Sequence, residues 1–220
     1  MRFIAYVGKF LISVGVGILL FVAWTLWGTG YFYTAHQQHV LAQRWAEIPQ
    51  YPPPSSRATP GPPPGYCPAH CHPGDAAFRL KIPSINVNFM VIEGVSEQDL
   101  RRGPGHYPSC RPGFPPPLCT RFREVWPGET GRIIISGHRT TYLHPFYNLD
   151  RMKPGDKIVL ETKWGSFIYS LDYERAVAPD TTSIVVPKQS IYQLVLTTCN
   201  PKYSASQRLV AFAHLEGTKT

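Results

Sequence analysis

Hydrophobic and polar positions fall into three textures along the chain. From Phe10 to Ala35, 26 consecutive residues carry no formally charged side chain. The first 18 of them, FLISVGVGILLFVAWTLW, would rise about 27 Å as a helix against a hydrocarbon core of about 30 Å, and helical geometry satisfies their amides in lipid. The GTGYFY that follows supplies interfacial aromatics. Arg2 and Lys9 precede the span and no acid does. The positive-inside rule therefore predicts a single-pass anchor over residues 1–35, its N-terminus cytoplasmic, its contact with membrane lipid made through this helix, and everything beyond it extracellular. A cleaved signal peptide is the alternative, disfavoured by the length of the span and by the lack of a clear small-x-small cleavage site.

The second texture, residues 36–75, opens with a polar stretch of helical character, HQQHVLAQRWAE, and continues into ten prolines within positions 49–73. Runs of PPP favour polyproline II, so this part reads as a spacer holding the following domain off the bilayer. A proline-rich docking ligand is the alternative. The third texture, residues 76–220, consists of short β-type runs separated by turn residues: FRLKI, VNFMVI, GRIIISG, DKIVLET, GSFIYSLDY, TSIVVP, IYQLVLTTC and QRLVAFAH. Several alternate as half-buried strands do. Only SEQDLRR near 96 and PFYNLD near 145 look helical. Eight or so short strands, with antiparallel neighbours and no long crossover helix, predict a mostly β fold, a closed or nearly closed eight-stranded barrel, with a sandwich as the alternative.

Composition narrows the classes. With 43% hydrophobic and 16% charged residues in 220, a disordered or fibrous chain is excluded. The formal charge is +8, and +6 remains once Arg2 and Lys9 are set aside. That balance suits loose association with anionic surfaces, but no basic run exceeds Arg101-Arg102 and no zinc-finger spacing occurs, so nucleic acid is not an expected partner. No phosphate loop, nucleotide fingerprint or carboxylate cluster is present, and neither a metal nor a cofactor is expected in the chemistry.

Five cysteines in an exported chain leave one over after pairing. Cys67, Cys71, Cys110 and Cys119 lie in irregular, proline-rich segments and are the disulfide candidates. Pairing of Cys67 with Cys71 and of Cys110 with Cys119 closes short loops; cross-pairing, or a zinc site with His70 and His72, are the alternatives. Cys199 is left, at the end of the run IYQLVLTTC. A thiol nucleophile needs a base and an oxyanion donor. His138 follows the run RIIISG, and Arg208 opens the run that returns nine residues after Cys199, so an antiparallel hairpin sets Arg208 beside the sulfur. His138, Cys199 and Arg208 are the candidate catalytic residues. Thr198 and Tyr142 are candidates for substrate binding, with strand packing as the bland alternative for each, and His106 reads as structural.

The segments EGVSEQDLRRGPGHYP, ISGHRT and LTTCNPKYSASQRL, in this order, resemble the sortases, membrane-anchored cysteine transpeptidases of Gram-positive bacteria, and most of all their class E. The resemblance covers about residues 78 to 215. It implies a sortase barrel in which Cys199 attacks the bond between Thr and Gly of an LPxTG- or LAxTG-type sorting signal on an exported protein. The acyl group then passes to an amine of the peptidoglycan precursor. An exported thiol peptidase using water, and a non-enzymatic disulfide-rich surface binding module, are the alternatives. Two departures from the family pattern stand out. Val195 occupies the first Thr place of its Thr-Leu-x-Thr-Cys box, and the loop 109–127 is long enough to suggest that it borders the peptide groove.

Overall fold

The computed structural model describes residues 2–51, 61–63, 66, 70–116, 118–181 and 191–219. Eight strands close into a barrel: β1 (Ala76–Ile82), β2 (Val87–Glu93), β3 (Gly105–His106), β4 (Gly131–Ser136), β5 (Lys157–Thr162), β6 (Gly165–Val177), β7 (Tyr192–Asn200) and β8 (Gln207–Lys219). Around the barrel the order is β1-β2-β3-β4-β7-β8-β6-β5, and β5 pairs back onto β1. Alternation explains which faces turn inward. Ile133 and Ile135 of β4 join Leu194 and Leu196 of β7 and Leu209, Ala211 and Ala213 of β8 in the interior. Their neighbours Ile134, Val195, Val210 and Phe212 form a separate cluster on the other face of the same three strands. Val195, the departure from the family's Thr, is thus a packing residue of that outer cluster.

Three features differ from the sequence-based expectation. Neighbours are not all antiparallel, because β2 pairs with β3 and β4 with β7 in parallel. The chain leaves β4, builds β5 and β6 on the far side, and re-enters as β7, which supplies the crossover that a parallel pair requires. The eighth strand among the described residues is the two-residue β3, while the run at 182–187 lies outside them. At β3 a Cβ on Gly105 would meet the Gly94 carbonyl oxygen at 2.1 Å, so glycine is what lets this strand fit beside its neighbour. Finally, PFYNLD yields only a 3₁₀ turn at Leu149–Arg151.

Helix α1 (Arg2–Ala23) passes through a π turn at Trp24–Gly28 into α2 (Thr29–Glu47). Phe3–Ala23 is long and apolar enough to cross a membrane, with a mean hydropathy of 2.1. α2 is not a free stalk. Leu41 is buried with Ala76, Met90 and Ile92, and Ala42 and Trp45 pack beside it. Gln38 Nε2 donates to the carbonyls of Met90 and Arg102, the Met90 amide donates back to Gln38 Oε1, and the Thr34 hydroxyl donates to the Arg101 carbonyl. The helix therefore docks on β1, β2 and the segment after α3 (Glu97–Leu100), a single turn fixed by a Ser96–Asp99 capping box. Tyr51 and Tyr66, on either side of the first prolines, both pack against the barrel core, and the PPP at 52–54 lies outside the described residues.

Cys110 and Cys119 form a disulfide and Cys199 is free. Cys71 is also disulfide-bonded, and Cys67 lies outside the described residues. The bonds remove the sulfurs of Cys71, Cys110 and Cys119 as zinc thiolates, and the cross-paired alternative for Cys110 and Cys119 falls away. In the disulfide loop Arg111 binds Glu124, Glu93 and the Cys71 carbonyl, and beyond it Trp126 packs edge-on against Tyr66 and Trp164. Phe114 of the same loop lies beside Gly94, where a Cβ would meet its ring at 3.2 Å. His106 belongs to the same cluster, its Nδ1 2.8 Å from Glu93 Oε2 and its ring between Phe78 and Trp126. Burial alone would lower the pKa of His106, but the carboxylates of Glu93 and Glu124 outweigh it and hold the ring above the usual range.

Candidate active site

Strand register brings the three candidate residues to one edge of the barrel. Cys199 of β7 lies directly opposite Arg208 of β8, and side chains opposite one another in an antiparallel pair share a face, their Cβ atoms about 5 Å apart. The hairpin turn is closed by the Ser204 amide on the Pro201 carbonyl. On the other flank β4 runs parallel to β7 with Ser136 opposite Thr197, and the Gly137 amide donates to the Thr197 carbonyl at 3.1 Å. His138 is the next residue. Strand alternation carries Cys199 and Arg208 onto the outer face, in line with the cluster of Ile134, Val195, Val210 and Phe212.

Each side chain is held differently. Cys199 is partly exposed. Arg208 Nη1 donates to the carbonyls of Ala205 and Gln207, both at 3.1 Å. His138 stacks on Tyr142 with ring centroids 5.0 Å apart, and its Nε2 is buried without a hydrogen-bond partner among the described residues. Tyr142 is thereby placed as a wall of the histidine's pocket. It begins a run of three non-glycine residues with positive φ: Tyr142 at 52°, Leu143 at 60° and His144 at 38°. Such backbone costs on the order of 1 kcal/mol per residue or more and persists only where its surroundings impose it. Here the Phe146 amide bonds the His138 carbonyl and the His144 amide the Thr141 carbonyl.

Thr198 behaves otherwise than the sequence suggested. It is buried, 3% exposed, and its hydroxyl donates to the Gly137 carbonyl at 2.7 Å. It points to the face opposite Cys199 and ties β7 to the residue before His138, so it aligns the two candidate groups rather than facing substrate.

Sequence reasoning missed Arg139. It is 3% exposed, yet its guanidinium donates to the carbonyls of Cys199 (3.2 Å) and Tyr147 (3.1 Å) and pairs with Asp150 at 2.9 Å. Asp150 thus serves Arg139 and not His138. Close by, burial, reinforced by the Asp150 charge against that of Arg139, pushes the Glu174 carboxyl up to about 7. The available signal was the charged residue immediately after the histidine in GHR, but its partners are remote in sequence.

Burial moves the His138 imidazole below the usual histidine range; the Glu97 carboxylate of α3 opposes this and the Arg101 guanidinium adds to it. The ring is therefore mainly neutral at neutral pH. Since a carboxylate favours the imidazolium and a guanidinium disfavours it, Glu97→Gln should lower the His138 pKa further and Arg101→Gln should raise it. An NMR titration of the imidazole protons checks both signs, and shifts of the opposite order would contradict this account.

Comparison with known proteins agrees with the geometry. A sortase-domain family model matches residues 80–216, more than half of the chain. The chain belongs to the sortase family. It is 30% identical over 219 residues to sortase SrtE1 of Streptomyces coelicolor, covering 95% of this chain and 56% of that protein. It is 33% identical over 128 residues to sortase D of Bacillus subtilis, covering 58% of this chain and 56% of that one. The chain thus spans little more than half the length of these curated relatives. Among solved structures, sortase E1 from Streptomyces coelicolor with a tripeptide in the active site is similar at a TM-score of 0.57 and 28% identity, over 67% of this chain and 92% of that one. Sortase E from Streptomyces avermitilis is similar at 0.52 and 27%, over 68% and 91%. The sortase barrel here therefore sits near class E members both in sequence and in fold.

Proposed function

We propose that this sortase is a membrane-anchored cysteine transpeptidase, held by α1 with its barrel outside the cell, and that His138, Cys199 and Arg208 carry its chemistry. The observation that carries the reading is the cross-strand pair of a free Cys199 and Arg208, flanked by His138 at the end of the adjoining parallel strand. The donor is an exported protein with a C-terminal sorting signal of LPxTG or LAxTG type, laid along the outer face of β4, β7 and β8. Neutral His138 takes the Cys199 proton as the sulfur attacks the Thr carbonyl. Arg208, always charged and with several donors to spare, faces the developing oxyanion. The imidazolium passes its proton to the departing Gly amine, leaving a thioester between Thr and Cys199.

In the second half an amine of the peptidoglycan precursor attacks that thioester, and the protein is fixed to the wall through a new amide. Incubating the full chain with a Leu-Ala-x-Thr-Gly peptide and a primary amine should give an aminolysis product by mass spectrometry. Finding only the Thr-terminated fragment would replace transfer by hydrolysis as the activity.

A further inference from the structure

α2 reaches the candidate active site at a single aromatic ring. Gly30 lies seven residues beyond Ala23, the last residue of the apolar span, and a Cβ added there would stand 3.7 Å from both Cδ1 and Cε1 of Tyr142. The helix meets the same ring by a second route. Thr34, 0% exposed, donates its hydroxyl to the Arg101 carbonyl at 2.8 Å, Gln38 Nε2 donates to the Arg102 carbonyl at 2.8 Å, and Arg102 Nε donates to Gln37 Oε1 at 3.1 Å. From this fixed segment the Arg101 guanidinium extends over the Tyr142 ring, 5.7 Å from its centroid. The ring itself stacks on His138 at 5.0 Å.

We infer that α2 is a positioning element of the catalytic machinery: Gly30 and the Arg101 held by Thr34 seat Tyr142, and Tyr142 in turn holds the His138 imidazole where it serves Cys199. The inference rests on the transpeptidase reading above. Tyr142 opens the run of positive φ, and the bonds from the His144 amide to Thr141 and from the Phe146 amide to His138 close the backbone of this loop without fixing the direction of the ring. That direction is left to the contacts with Gly30, Arg101 and His138. Glycine is costly inside a helix, and at position 30 a branched side chain competes with the ring for space. The charged and titratable groups around His138 are Glu97 and Arg101 from the α3 segment, Cys199 and Arg208 from β7 and β8, and Tyr142 itself. What α2 brings to this corner, Gly30 and Tyr33, is uncharged. Its influence on the imidazole is therefore one of packing, exerted through the burial that keeps the ring mainly neutral.

The test uses the full chain in detergent micelles and reads single-turnover acylation by a sorting peptide, the NMR titration of the His138 imidazole protons, and the thermal melt. Gly30→Leu puts bulk where the Tyr142 ring lies, so that the ring turns aside or the helix lifts, and either movement uncovers His138. Acylation at neutral pH should fall at least 5-fold. Because burial is what lowers the imidazole pKa, that pKa should rise, and the acid limb of the rate profile should move to higher pH with it. In a Tyr142→Ala background the same substitution should change the rate less than 2-fold, since the link is already gone. Thr34→Val, which takes the donor from the Arg101 carbonyl, should lower acylation at least 3-fold and raise the imidazole pKa, and it decides the matter if Gly30→Leu does not fold. Rates within 2-fold of the parent and an unmoved titration in both variants, or equal losses from Gly30→Leu with and without Tyr142, would overturn the coupling and leave the transpeptidase standing. A parent chain that forms no acyl-enzyme would overturn the functional reading, and the imidazole titration would still decide whether α2 acts on His138.

Discussion

Cys199→Ala is expected to give a folded barrel that forms no covalent adduct with a sorting peptide, with kcat/KM lowered by a factor on the order of 10³ or more. The expected size follows from the place of the sulfur in the scheme, where it is both the nucleophile and the leaving group of the second half. Folding should survive because the residue is partly exposed and its strand neighbours are fixed by backbone pairing on both sides, to β4 and to β8. Intact mass after incubation with peptide reads the adduct, and a thermal melt reads the fold. Retained turnover with the melting temperature of the parent would move the chemistry to another residue.

The second large effect is expected at Arg139, one residue past His138. Its guanidinium joins the loop after β4 to the carbonyl of Cys199, so it fixes the separation of the two candidate groups although it carries no proton itself. Arg139→Ala leaves two carbonyls without this donor and removes one of the two cations beside Asp150, whose side chain is 42% exposed and keeps Lys202 at 3.6 Å. Stability should fall by about 1–3 kcal/mol, the cost of removing a charged donor from two partly buried carbonyls. The rate of acylation should fall by roughly 10- to 100-fold through displacement of the sulfur. Arg139→Lys should recover part of the stability but less of the rate, because an ammonium cannot span three acceptors as the planar fork does. Urea titration and single-turnover acylation separate the two effects. An alanine variant matching the parent in both would show that the clamp contributes nothing.

The legible part of this protein was what local sequence specifies. Cys199 and Arg208 meet because a hairpin returns the chain to its starting edge, and both the strand runs and the short turn were visible. The interior of the barrel was legible through alternation, as in β4 and β7. The parallel pairing of β4 with β7 was not, since more than fifty residues separate them and nothing local names a partner. β3 was invisible because two residues carry no periodicity. The helical character of the stretch before the prolines was read, but its docking was not: Leu41, Ala42 and Trp45 look sparse on a polar helix until Met90 and Ile92 are placed opposite them. Thr198 and Arg139 show the same limit at the site, where residue type was evident and direction was not. His138 alone would pass for a turn residue, and only the motifs in order gave it a role.

The seating of α2 against β1 and β2 has a consequence for how such an enzyme would search. A catalyst on a slack leash sweeps a hemisphere above its anchor and meets substrates in every orientation. With α1 in a bilayer, this one would be bolted to its mast: its mouth keeps a constant height and a constant bearing, and diffusion in the plane becomes its main means of finding partners. Orientation entropy that a tethered domain would lose at each encounter is lost once, on folding, so chains displayed at the same height gain effective concentration while those floating free do not.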